Sequence, residues 1–315
     1  MKPNLPLFCV AFFVFLHSPI FAQITFQKVF GGPSSDISYS VQETYDGGYI
    51  IAGYTLSFGQ GNRDVYLILT DSIGNTLWTK TYGAGNTDYA WTIAQTADSG
   101  FLVGAHSGSF GAGSHDIYLL RLTQSGNVVW ERTYGGSSAD GAYSLVNTSD
   151  GGFMISAHTS SFGAGQHDVY LLKLNSVGDT TWTKAFGGTS GDYLRDVQQL
   201  DDGGYICVAE TFSFGVGSAD VYLVRTDSVG NLLWAKAYGG SLADYGYSVR
   251  QTPDGGFIVA GYTSSFGAGQ FDVYLIRTDS VGDTLWAKTY GGSSSDYGYS
   301  IALTGDGGFI ITGFT

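Results

Sequence analysis

Two columns of aspartate recur along this chain. Asp36, Asp88, Asp140, Asp192, Asp244 and Asp296 form one, and Asp64, Asp116, Asp168, Asp220 and Asp272 the other, each stepping by 52 residues. Carboxylate oxygens suit Ca²⁺, so a ring of equivalent acids is a candidate cation site. Asp also caps backbone N–H groups in turns, and a role repeated in every unit fits that use better, so no cofactor is expected. His106, His115, His158 and His167 form two equivalent pairs, flanking "SGSFGAGS" and "TSSFGAGQ" in consecutive units. Imidazole is a common metal ligand, but zinc takes three or four ligands. Equivalent positions on neighbouring sheets should stand roughly 10 Å apart. Each unit then offers two imidazoles and one Asp, no metal site is assigned, and common descent of the two units accounts for the pattern.

One column breaks its own rule. Tyr39, Trp91, Tyr143, Tyr247 and Tyr299 are aromatic, and the fourth unit has Arg195 in their place. Taking Asp202-Gly203 as a two-residue turn, Leu200 faces Tyr205 and Arg195 falls directly opposite Glu210. The same count pairs Tyr39 with Tyr54, Trp91 with His106, Tyr143 with His158, Tyr247 with Tyr262 and Tyr299 with Phe314. An ion pair thus replaces an aromatic pair, and either is worth ~0.2–1 kcal/mol across strands. That is compensation within a scaffold and not a catalytic arrangement. Glycoside hydrolysis needs two carboxyls about 5–9.5 Å apart in unlike environments. The acids outside the repeat columns, Glu43, Glu131, Asp196 and Glu210, lie in three units, and no nucleophile elbow, P-loop or zinc motif is present. No catalytic residue is assigned. Tyr39, Tyr54, Trp91, Tyr143, Tyr247 and Tyr262 are the candidate binding surface, since such rings stack on sugars or on a protein partner.

The elements that hold these residues come from the repeat. Trp78, Trp130, Trp182, Trp234 and Trp286 share the 52-residue step, and no insertion breaks the register from Phe26 to Thr315. Within 244–292, "YGYSVRQT" alternates and ends at Asp254-Gly255, "GFIVAGYT" returns, "DVYLIRT" is rich in β-branched and aromatic residues, and "TLWAKTYGG" follows a turn. Four antiparallel strands in a repeat of this length are a propeller blade. Residues 24–32, "ITFQKVFGG", align with "TLWTKTYGA", Phe26 taking the Trp position. The reading is an all-β propeller: an outer strand over 24–32, five full repeats and a partial sixth, six blades with the last incomplete. The chain reads as cut short at its C-terminus.

The run "WAKTYGGSSSDYGYSIALTGDGGFIITGFT" at 286–315 resembles the bacterial SBBP β-propeller repeat. It is also similar to repeat arrays of proteins exported by type IX secretion. The resemblance covers nearly all of 24–315. It implies a propeller on an exported protein and no catalytic residues.

Composition bounds the function. Gly is 48 of 315 residues, aromatics are 15% and charged residues 13%, which excludes intrinsic disorder. A net charge of −13 lacks the basic footprint of a nucleic-acid binder and disfavours an anionic membrane. Residues 1–22 read as a secretory signal peptide, leaving 23–315 as the mature domain with Cys207 its one thiol, in a buried column. The expectation is a secreted or surface-displayed scaffold that binds an extracellular protein or glycan, with no membrane insertion after signal cleavage. The alternative is a carbohydrate-binding module associated with a glycoside hydrolase of endoglucanase type.

Overall fold

The structure, a computed structural model, describes residues 26–315. The expected signal peptide lies outside the described residues. β1 (Asp36–Glu43), β2 (Tyr49–Thr55), β3 (Asp64–Thr70) and β4 (Thr76–Tyr82) form the first sheet, paired antiparallel in chain order. Four further four-stranded sheets repeat this plan over 88–134, 140–186, 192–238 and 244–290, and 297–314 supply a two-stranded sixth. Tyr, Val, Ile and Leu dominate the second and third strands, where residues buried on both faces belong.

Apolar side chains of each sheet pack against the next. Ile50, Val65 and Leu67 of the first sheet meet Phe101, Val103 and Leu120 of the second. Trp78 of the outer strand stands 6.3 Å from Phe101, ring to ring, and its Nε1–H donates to Gln124 O at 3.1 Å. The repeated Trp therefore joins one sheet to the next. Cys207 is fully buried in the same kind of interface. The outer strands are free edges, and each carries a central cation (Lys80, Arg132, Lys184, Lys236 or Lys288), which discourages edge-to-edge pairing.

Two expectations fail on register. The first hairpin of each unit has a three-residue loop, not a two-residue turn. In the fourth sheet Leu200 N donates to Gly204 O at 2.9 Å, Gly203 has φ +80°, and Gln199 faces Tyr205. This is a turn closed by a left-handed glycine. Further along, a β-bulge leaves Arg195 without a partner in the ladder, so Tyr193 faces Glu210 and Leu194 faces Ala209. The bulge recurs in all six sheets, always at the column of Tyr39, Trp91, Tyr143, Tyr247 and Tyr299. The outer strand expected over 24–32 is also absent from its described part, since residues 26–32 have no strand. Phe26 nevertheless packs over Gly74, as Trp130 packs over Gly178.

Linkers and "SFGAG" loops share one end of the sheets: Ser138 N donates to Ser161 Oγ at 3.1 Å, and Ser190 N to Ser213 Oγ at 3.1 Å. The hairpins and the "DSVGD"-type turns occupy the other end.

Candidate functional site

A bulge inserts one residue into a strand and re-aims its side chain. Here it turns one residue per inner strand toward its counterpart on the next sheet. Tyr39 stacks on Trp91 with ring centroids 3.9 Å apart, and Trp91 lies 5.1 Å from Tyr143. The Arg195 guanidinium sits 5.5 Å from the Tyr143 ring and 5.0 Å from the Tyr247 ring, and Tyr247 lies 4.8 Å from Tyr299. One continuous column crosses all six sheets, with a cation between two aromatic faces. Its ends reach solvent: Tyr39 is 42% exposed and Tyr299 37%.

A second tier lies behind it. Tyr54, His106, His158, Glu210, Tyr262 and Phe314 meet the column across the bulge: Tyr143 lies 5.1 Å from His158 and Tyr247 5.4 Å from Tyr262. Arg195 Nη2 donates to Glu210 Oε1 at 2.6 Å. The expected pairs form, diagonally across the bulge instead of directly opposite. The residues directly opposite the second tier are Tyr89, Tyr193, Tyr245 and Tyr297. They lie outside the candidate surface expected from the sequence, although they sit two positions before the bulged column, on the same strand face by simple alternation.

Burial sets the electrostatics. Desolvation, with His158 nearby, lowers the His106 pKa to about 3, and desolvation, with His167 and Arg195 nearby, lowers that of His158 to about 3. Both rings are therefore neutral at pH 7. Burial raises the pKa of Glu210 against the pull of Arg195, and raises that of Tyr143 to about 12. His106 and His158, on neighbouring sheets, are closer than the sheet spacing implied, with centroids 5.9 Å apart, and His158 and His167 of one sheet stand 5.0 Å apart. His106 and His158 lie on the second strands of successive sheets, and their side chains approach more closely than the sheet-to-sheet distance. His115 stands half-buried at the start of its own third strand.

The aspartate columns serve the linkers. Asp192 accepts from Thr211 Oγ1, from Ser213 Oγ at 2.7 Å and from Gly188 N at 2.8 Å. Asp36, Asp88, Asp140 and Asp244 repeat this pattern, and Asp296 keeps the bond from Gly292 N at 2.8 Å. In the second column Asp168 Oδ2 accepts from Ala164 N and Gly165 N, both at 3.1 Å. Among the described residues no three His, Cys, Asp or Glu side chains form a metal-binding group. Asp196 is also engaged, accepting from Arg250 Nη1 at 2.5 Å and Ser248 Oγ at 3.1 Å. Asp196 and Glu210 share a sheet, and each carboxylate already carries an arginine.

Symmetry fails most around Tyr143. Trp91 Nε1, His158 Nδ1 and Arg195 Nε are buried without a hydrogen-bond partner, and all three belong to side chains that touch or neighbour that ring.

No family model matches the chain, and no curated protein does. Among solved structures it is similar to the WD40 domain of Neurospora crassa Pan2, with TM-score 0.51 and 12% identity over 87% of this chain and 85% of that one. A protein of unknown function from Bacteroides caccae gives TM-score 0.47 and 14% identity over 80% and 81%. An endo-arabinase from Bacteroides thetaiotaomicron gives 0.44 and 12% over 84% and 100%. Identities this low speak to the fold alone, and the fold is a β-propeller type of repeated four-stranded antiparallel sheet.

Proposed function

We propose that the protein is a secreted or cell-surface β-propeller scaffold that binds an extracellular protein or glycan through its axial aromatic column and the adjoining loop end, with no catalysis of its own. One observation carries this reading: the bulged residues of six sheets form a single stacked column that emerges at Tyr39 and Tyr299. Phe58, Phe162, Phe214 and Phe266 stand nearly half exposed in the "SFGAG" loops. Exposed rings with a polar handle favour sugars and protein partners. Export, a signal peptide over residues 1–22 and kinship with SBBP or type IX repeat proteins belong to the same proposal, which rests there on the sequence.

The blade count is proposed as six, with residues 26–32, although unpaired, running where an outer strand would lie. Phe26 over Gly74 supports this.

The alternative is a carbohydrate-binding module of a glycoside hydrolase system. The test is residues 23–315 on a glycan array, in parallel with cross-linking to extracellular proteins. Saturable binding in either arm, weakened by Tyr39→Ala and Tyr299→Ala, supports the scaffold, and the arm that responds decides between partner classes. Binding untouched by both substitutions overturns the assignment of the column. Turnover of a polysaccharide panel that Glu210→Gln abolishes would show a catalytic protein instead.

A further inference from the structure

The third sheet departs from its neighbours at one position, and the departure frees a histidine. In the second sheet Tyr89 OH lies 3.1 Å from His106 Nδ1, and His106 Nε2 lies 3.0 Å from Ala142 O, so both ring nitrogens are taken. The residue in the Tyr89 place of the third sheet is Gly141, facing His158 in the ladder. No phenol hydroxyl bonds to His158 as Tyr89 does to His106, and its Nδ1 is buried with no partner. Gly141 has no room for a side chain, since a Cβ there would stand 2.2 Å from His106 Cε1.

His167 completes the arrangement. Its ring centroid is 5.0 Å from that of His158, with the ring planes at 85°. Its Nδ1 lies 2.7 Å from Ser160 Oγ, which leaves Nε2 as its free nitrogen. A cation 2.0–2.1 Å from one nitrogen of each of two imidazoles holds the ring centroids roughly 5 Å apart. His167 is half-buried, so the pair is open toward the loop end. Metallation at Nε2 would leave Nδ1–H donating to Ser160 Oγ, the kind of outer contact that fixes a ligating ring.

We propose that His158 and His167 form a two-imidazole site for a divalent cation of the nitrogen-preferring class, Cu²⁺, Ni²⁺ or Zn²⁺, with water in its remaining positions. No third His, Cys, Asp or Glu joins the two rings among the described residues. Imidazole favours these ions over Ca²⁺ and Mg²⁺, and Cu²⁺ binds tightest of the three. The His106 and His115 pair is the built-in control, equivalent in sequence but with His106 saturated.

The experiment is calorimetric titration of the protein with CuSO₄ and ZnSO₄ at pH 7, comparing His167→Ala, His158→Tyr and His115→Ala. Ala219 and Tyr262 hold the same repeat positions as the first two, so both variants suit the fold. One site per chain, tighter for Cu²⁺ than for Zn²⁺, should weaken by ~10-fold or more in His167→Ala and His158→Tyr and stay unchanged in His115→Ala. Loss in His115→Ala equal to that in His167→Ala overturns the proposal, as does wild-type binding no tighter than that of the His158→Tyr, His167→Ala double variant.

Discussion

Tyr193 stands opposite Glu210 in the ladder, yet Arg195 is the residue whose Nη2 lies 2.6 Å from Glu210 Oε1. The bulge at Arg195 carries its side chain past Leu194 and sets it between Tyr143 and Tyr247. In the other sheets the same bulge stacks ring on ring.

Glu210 is buried, only 6% exposed, and its half-buried partner Arg195 is the cation that compensates it. Removing one partner of such a pair leaves an uncompensated charge and costs about 3–5 kcal/mol. Arg195→Met should therefore destabilise the protein by about 3 kcal/mol in urea unfolding. The double variant Arg195→Tyr, Glu210→Tyr recreates the Tyr247–Tyr262 pair of the fifth sheet and should return stability to within about 1 kcal/mol of wild type. A single variant as stable as the double would remove the burial argument.

Stability should fall on mild acidification because of two histidines. His106 and His158 titrate at about 3 in the fold, against ~6.5 in the unfolded chain. Between those values the unfolded chain gains a proton that the fold refuses. Each ring thus costs up to ~1.4 kcal/mol per pH unit below 6.5, and nothing above it. His106→Tyr and His158→Tyr should each flatten unfolding free energy between pH 7 and 5. Slopes identical to wild type would contradict the burial of these rings.

Ser99 sits at φ +65° where the equivalent turns place Gly47, Gly151, Gly203, Gly255 and Gly307 at about +80°. A left-handed conformation costs a non-glycine residue roughly 1 kcal/mol. Ser99→Gly should stabilise the protein by roughly 0.5–1 kcal/mol, offset in part by unfolded-chain entropy. Thermal unfolding checks the sign.

Asp244 accepts from Thr263 Oγ1, from Ser265 Oγ at 2.7 Å and from Gly240 N at 2.7 Å, and it is fully buried. Asp279 caps an exposed turn through Val281 N at 3.0 Å and Asp283 N at 2.8 Å. Charge-assisted bonds contribute ~1.5–3 kcal/mol each when their donors would otherwise be buried unpaired. Asp244→Ala should cost about 3 kcal/mol or more, and Asp279→Ala about 1 kcal/mol or less, since water replaces the lost acceptor there. Equal costs would mean that the inner column is not what holds the linkers.

The repeat itself determined most of the architecture. A strict 52-residue step with four strand patterns per unit leaves little freedom: alternation assigns faces, Gly and Asp mark the turns, and Trp and aliphatic columns build the contacts between sheets. Burial of Cys207 and the pairing of Arg195 with Glu210 follow from comparing columns. What only the tertiary structure decided lies in one residue per sheet. Tyr39, Trp91, Tyr143 and Arg195 have no Gly or Pro beside them to announce a bulge, and the glycines before Tyr247 and Tyr299 are not shared by the column, because the ladder yields there to contacts with the neighbouring sheet, 52 residues away. Counting along one hairpin cannot contain that contact. The closeness of His106 to His158 has the same cause, a distance between sheets and not along the chain, whereas the free nitrogen of His158 follows from the bulge within its own sheet, which brings Gly141 opposite it.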